Sequence, residues 1–165
     1  MASHPGKDED YEGEAYVGAI GRKVRDFYNA QNPPRGLTWM DNLVACHPPE
    51  YRQPKPDEIA ACKPRIIELV NILDPDLILA MGKEAVTALT GKRDTIDALR
   101  GKFHRAVIPG RFEEFEVPVF ATYHPGQFQH NPSPGPKGME ALWAQDFAKA
   151  IKIAITLSEI REKTV

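Results

Sequence analysis

His124 stands in the run Thr122-Tyr123-His124-Pro125, directly after an apolar segment, and Asn42 lies near the end of another short run, Thr38 to Val44. An imidazole in such a place can donate a hydrogen bond to an atom that gains negative charge, or orient a water molecule. A carboxamide both donates and accepts, so one side chain can satisfy a donor and an acceptor of the same bound group. The blander readings are a core histidine satisfied by backbone and an asparagine that caps a turn. Cys46 and Cys62 have fifteen residues between them and are the chain's two cysteines. Two cysteines form no disulfide framework, and structural free thiols are a common fate for such residues. Lys92, Arg93, Arg100, Lys102, His104, Arg105 and Arg111 make 92–111 the basic part of the chain. That suits phosphate contacts, while the interleaved Asp94 and Asp97 suit a solvated mixed-charge face equally well.

These residues need elements to hold them. The chain's 165 residues fit one domain with a proper core, and 42% hydrophobic content is ordinary for a globular protein. A net charge of −2 excludes a protein that grips nucleic acid through overall charge, so any such contact needs a local patch. No apolar run reaches the roughly 18 residues that span a bilayer, and no signal-peptide core opens the chain, which predicts a cytoplasmic protein without a membrane partner. Prolines cluster at Pro33-Pro34, Pro48-Pro49, Pro54, Pro56 and Pro132 to Pro136, and punctuate loops.

Residues 1–17 read as a loop rich in acid and glycine. Ile20, Val24, Phe27 and Tyr28 recur at helical spacing and predict a helix over 18–30. Thr38 to Val44 predicts a strand. Pro56-Asp57-Glu58 opens a second helix that buries Ile59, Ile66, Ile67, Val70 and Leu73, with a kink at Pro64. Asp76 to Met81, ending at Gly82, has the profile of a buried parallel strand, and Glu84 to Leu89 of a helix. Val117 to Thr122 predicts a further strand, and Met139 to about Ile160 a long closing helix, apolar at Leu142, Trp143, Phe147, Ile151 and Ala154. Strands that alternate with helices imply an α/β fold, a mostly parallel sheet covered on both faces. Ligands then sit at the strand C-termini, in the loops after residues 44, 81 and 122.

Several ordered segments resemble the family-four, iron-sulfur-associated branch of the uracil-DNA glycosylase superfamily. They are Pro5 to Asp10 with Gly13, Tyr16-Val17-Gly18 and Gly21; Asn42 to Pro49 with Arg52, Pro54, Pro56, Glu58, Ile59 and Cys62; Pro75 to Gly82; Leu99 to Lys102; and Thr122 to Pro125. The resemblance covers most of residues 5–150 and implies a three-layer sandwich, the central mostly parallel sheet flanked by helices, as a single domain over 1–165. It implies excision of uracil from DNA by hydrolysis of the glycosidic bond, with uracil-containing DNA as partner and the protein acting as a monomer. On this reading Asn42 reads the base edge, Tyr16 stacks on the base where the family has phenylalanine, and Pro5 and Gly6 complete the uracil pocket. His124 stabilises the departing base, and Glu9 matches an acid that the family retains. Arg100, Lys102 and Arg105 are candidate phosphate contacts, and Pro125, Gly126 and Phe128 form the loop where the family wedges into the duplex.

The sequence departs from the family twice. Ser3 stands where the first motif has a glutamate, and His4 where sister families place the Asp or Asn that orients water, so His4 is a candidate to handle water here. The family's [4Fe-4S] cluster takes four cysteines; Cys46 and Cys62 reproduce the later pair, while the N-terminal Cys-x-x-Cys and the strand after it have no counterpart. The cluster is therefore expected to be absent or incomplete. A catalytically weak or inactive DNA-binding relative is the competing reading of the same residues.

Overall fold

The computed structural model describes residues 1–130, 135 and 137–164, so the expected loop at Pro132 to Pro136 lies almost wholly outside the described residues. Three strands form the recorded sheet: β1 (Ile78–Met81), β2 (Phe103–Pro109) and β3 (Glu114–Thr122), in the order β1-β3-β2. β1 pairs with β3 in parallel, in the register Ile78 to Val119 through Met81 to Thr122, and β2 pairs with β3 antiparallel.

Parallel pairing continues past β1. The Met1 amine donates to the Leu79 carbonyl (2.7 Å) and the Met81 N–H to the Met1 carbonyl (2.9 Å). On the far side Leu43 N–H donates to Ala2 and Val44 N–H to Ser3, around a parallel bridge between Ala2 and Asn42. Residues 1–3, read from the sequence as loop, thus extend the sheet, and the strand expected over Thr38 to Val44 shrinks to that bridge. The expectation of a mostly parallel sheet holds on this side, with β2 as the antiparallel member.

Seven helices pack around the sheet among the described residues: α1 (Lys7–Glu12), α2 (Ala19–Ala30), α3 (Pro56–Leu73), α4 (Lys83–Thr90), α5 (Ile96–Leu99), α6 (Pro125–His130) and α7 (Met139–Thr164). Strand side chains alternate between two faces. Ile78, Ala80, Val117, Val119 and Ala121 join Ile66 and Val70 of α3, Ala85 and Val86 of α4 and Leu99 of α5 in one core. The opposite core gathers Val24 of α2, Phe128 of α6 and Trp143, Phe147 and Ile151 of α7. Two cores on two faces make three layers, as expected.

Some local expectations are corrected. α1 lies in the supposed loop: Asp8, Glu9 and Asp10 occupy its first turn, where carboxylates favour the helix dipole, and Gly13 ends it in the left-handed conformation (φ 70°). α3 continues through Pro64, which sits exposed, and buries Ile66 and Val70 while Leu73 is left exposed at the helix end. β2 falls within the stretch read only for its charge. Among the described residues no helix is long and apolar enough to cross a membrane.

Candidate active site

The strand order sets the site. Reading across the sheet, the C-terminal ends of the Asn42 bridge, the Met1–Ser3 segment, β1 and β3 lie side by side. The loops that leave them carry Asn42, His4, Glu84 and His124, and these four line one cavity of about 720 Å³. Pro5, Gly6, Glu9, Tyr16, Gln53 and Gly126 line it too. The loops after 44, 81 and 122 thus meet at one edge, as the parallel sheet requires.

Asn42 is buried, yet its carboxamide has no hydrogen-bond partner among the described residues. Its backbone is held from two sides: the N–H donates to Asp41 Oδ1 (2.7 Å), and Arg65 of α3 donates to the Asn42 carbonyl (2.5 Å) and to Asp41 Oδ2 (2.8 Å). A fixed backbone thus carries an amide that lines the cavity and makes no hydrogen bond among the described residues.

Tyr16 is buried against the pocket with its backbone in the left-handed region (φ 63°). Gly21 makes that turn possible, because a Cβ there would lie 2.2 Å from the Tyr16 carbonyl carbon. The Tyr16 hydroxyl reaches the Asp41 carbonyl (3.4 Å), and burial, then the Asp41 charge, push its ionisation far above the ordinary tyrosine range. The ring is therefore a neutral wall.

His124 accepts a hydrogen bond at Nδ1 from the Gly126 N–H (3.1 Å). The neutral ring then carries its proton on Nε2. Burial first, then the charge of His4, lower its pKa to about 4. His124 is thus a neutral donor at physiological pH. Gly82 lets the ring pack closely: its φ is 93°, and a Cβ there would stand 3.1 Å from His124 Cβ.

His4 Nδ1 lies 2.8 Å from Ser3 Oγ. Burial and the neighbouring His47 lower the His4 pKa, while the Glu84 carboxylate opposes them. His47 in turn donates from Nδ1 to the Pro5 carbonyl (2.9 Å), which ties the Cys46-His47 loop to the first loop. Glu9 accepts from the Gly18 N–H (2.8 Å) at the start of α2 and fills the space beside Gly6 and Gly18 that a Cβ would need. It clamps the loop that shapes the pocket.

The structure gathers some sequence candidates elsewhere. Arg100 makes a bidentate pair with the buried Asp146 of α7, whose Oδ2 also accepts from Thr122. Lys102 donates to the Ala98 carbonyl, and Arg105 pairs with Glu116 on the exposed side of the β2–β3 ladder. His104 is buried and donates to the Leu99 carbonyl (2.9 Å). Pro125 is fully buried, and Phe128 is 3% exposed, packed on Trp143 with the Lys23 ammonium over its ring. Phe128 in this position is core, so the one obvious wedge candidate is not available at the surface.

Cys46 is exposed and Cys62 is half-buried on α3, and no group of three or more His, Cys, Asp or Glu side chains that could hold a metal forms among the described residues. Two thiols fall short of the four that a [4Fe-4S] cluster uses.

Sequence reasoning missed Glu84 and Gln53 as pocket residues. Glu84 directly follows the apolar strand and Gly82-Lys83, a position that marks a strand-end loop; it was read only as the start of a helix. Gln53 sits in the proline-rich loop and offers no periodic signal.

The family model described as the Uracil DNA glycosylase superfamily matches residues 2–147. The chain is similar to the Type-4 uracil-DNA glycosylase of Saccharolobus solfataricus, 34% identical over 161 residues, which are 94% of this chain and 70% of the relative. It is similar to the Type-4 uracil-DNA glycosylase of Sulfurisphaera tokodaii, at 31% over 160 residues, 92% of this chain and 67% of the relative. The protein of the same name in Pyrobaculum aerophilum is 32% identical over 133 residues, 78% of this chain and 66% of the relative.

Proposed function

The chain belongs to the uracil-DNA glycosylase superfamily, and from that membership we propose that it hydrolyses the N-glycosidic bond of uracil in DNA, as a single-domain monomer in the cytoplasm. The observation that supports this most is the Asn42 carboxamide, without a hydrogen-bond partner among the described residues, lining the same cavity as a neutral His124.

The chemistry follows from the geometry. The base leaves the stack at a cost of a few kcal/mol and enters the cavity, where Tyr16 offers its ring as a wall. Asn42 presents a donor and an acceptor to the edge of uracil, which carries an acceptor next to a donor. As the bond between C1′ and N1 lengthens, its electron pair moves into the base and negative charge builds on the uracil oxygens. A neutral Nε2–H of His124 is suited to meet that charge, since it donates without first losing a proton to solvent. His4, beside Ser3 at the same cavity, is the candidate to orient the water that attacks C1′. Lys102, Arg105 and Gly126 remain candidates for contact with the strand on either side, whereas Arg100 is taken up by Asp146 and Pro125 is fully buried; Glu9, Pro5 and Gly6 are candidates for the shape of the pocket.

A weak or inactive binder is the second reading, favoured by Ser3 and His4 in place of a first-loop carboxylate. A single-stranded oligonucleotide with one uracil separates the two. An enzyme leaves an abasic site that breaks in hot alkali, and the thymine control stays intact. A binder retards the uracil strand in a gel and leaves it unbroken.

A further inference from the structure

The first loop lacks a carboxylate for water, yet the pocket does not. We propose that Glu84 is the catalytic base of this site, taking the proton of the water that attacks C1′; the inference rests on the glycosylase reading above.

Topology places it there. β1 lies between the Met1–Ser3 segment and β3, so the loop that leaves β1 emerges between the loop of His4 and the loop of His124. Glu84 is the second residue of α4, two positions after Gly82 at the end of β1. Its Oε2 lies 3.7 Å from the point where a Cβ on Gly82 would stand, and the His124 Cβ lies 3.1 Å from the same point. The Glu84 carboxylate and the His124 side chain therefore both approach the same point over Gly82. Both line the cavity, with His4 beside them.

The carboxylate is also unspent. It has no hydrogen-bond or ion-pair partner among the described residues, whereas Glu9, Glu14, Glu58, Glu116, Glu140, Asp41, Asp74 and Asp146 all have one. A carboxylate without a partner, beside two histidines whose protonation burial disfavours, is placed to take a proton at the cavity.

The step balances. A lone pair of the water oxygen forms the bond to C1′; the C1′–N1 pair leaves with uracil N1 as the uracil anion; the water proton goes to Glu84 and then to solvent. The products are uracil and the abasic sugar. His124 and Glu84 serve opposite ends of one displacement, the first holding the anion that leaves and the second the proton that is released.

The test compares single-turnover excision from a uracil-containing single strand by the wild type, Glu84→Gln, Glu84→Asp and Glu84→Ala. Glu84→Gln should slow the chemical step by about 10²-fold or more, as loss of a general base does, with DNA affinity within about twofold because the side chain keeps its size. Glu84→Asp should retain an intermediate rate, and added formate should partly restore Glu84→Ala, a rescue that a structural role would not give. A wild-type rate in folded Glu84→Gln overturns the assignment while leaving the glycosylase reading intact. So does a loss that tracks DNA affinity and is not relieved by aspartate or formate. A wild type that releases no uracil overturns both.

Discussion

At His124 one backbone donor and the surrounding burial decide the protonation state, and the consequence is measurable in stability. The folded ring has a pKa near 4 against an ordinary 6.5. Between those values the unfolded chain binds a proton that the folded chain does not, so folding weakens as pH falls through that window and is unaffected by this group above it. The urea midpoint of the wild type should therefore drop between pH 6.5 and 4 more steeply than that of His124→Asn. Equal slopes would mean that the imidazole is not desolvated. Asn42 makes the complementary case, because its proposed role rests on the bonds its amide lacks among the described residues. Asn42→Ala should cost uracil-DNA binding about 1–3 kcal/mol, the cost of unpaired polar groups on the bound base, with little change in the unfolding midpoint. Unaltered affinity in a folded Asn42→Ala protein would take Asn42 out of the site. Both residues were legible in the sequence because each ends a run with strand character. Glu84 was not, since a glutamate in the first turn of a helix is ordinary and only the strand order shows where that turn points.

At the scale of elements, the pair between Arg100 and Asp146 joins the end of α5 to α7, and Thr122 at the end of β3 shares the same carboxylate. Two residues later comes His124, so this network steadies the strand end that presents the imidazole. Removing one partner leaves the other charge buried, which typically costs about 3–5 kcal/mol. Urea unfolding of Arg100→Ala, which strands the buried Asp146 carboxylate, should show a loss of that size; a loss under about 1 kcal/mol, the range of exposed pairs, would contradict it. Arg100 was read from its charge as a phosphate contact, and a charged residue in sequence carries no mark of whether an acid will fold onto it. β2 escaped for a related reason. A polar His104 faces inward with Ala106 and Ile108 while Phe103 and Val107 face out with Arg105, so the alternation that defines the strand is blurred in hydrophobicity. α1 escaped because none of its residues is buried, which leaves dipole and capping signals without an apolar stripe. α2, α4 and α7 were legible because each lays a periodic apolar face on the sheet.

For the whole molecule, membership in the superfamily and the layered fold agree, and the departures are local to the first loop and the thiols. The protein of this sequence should bind well under the roughly four irons per chain of a [4Fe-4S] centre when purified without oxygen; a full complement of iron and sulfide, lost on substitution of Cys46 or Cys62, would contradict that. The net charge of −2 leaves little long-range attraction for DNA, so specificity has to come from the cavity itself. The most direct test of the account is the single-turnover rate of uracil release by the wild type and by His124→Ala on the same single-stranded oligonucleotide. The wild type should release uracil, and the variant should do so at a rate lower by roughly 10²–10³, the range for loss of one preorganised donor to a developing anion. Release at the wild-type rate by folded His124→Ala, or none by the wild type, would contradict it.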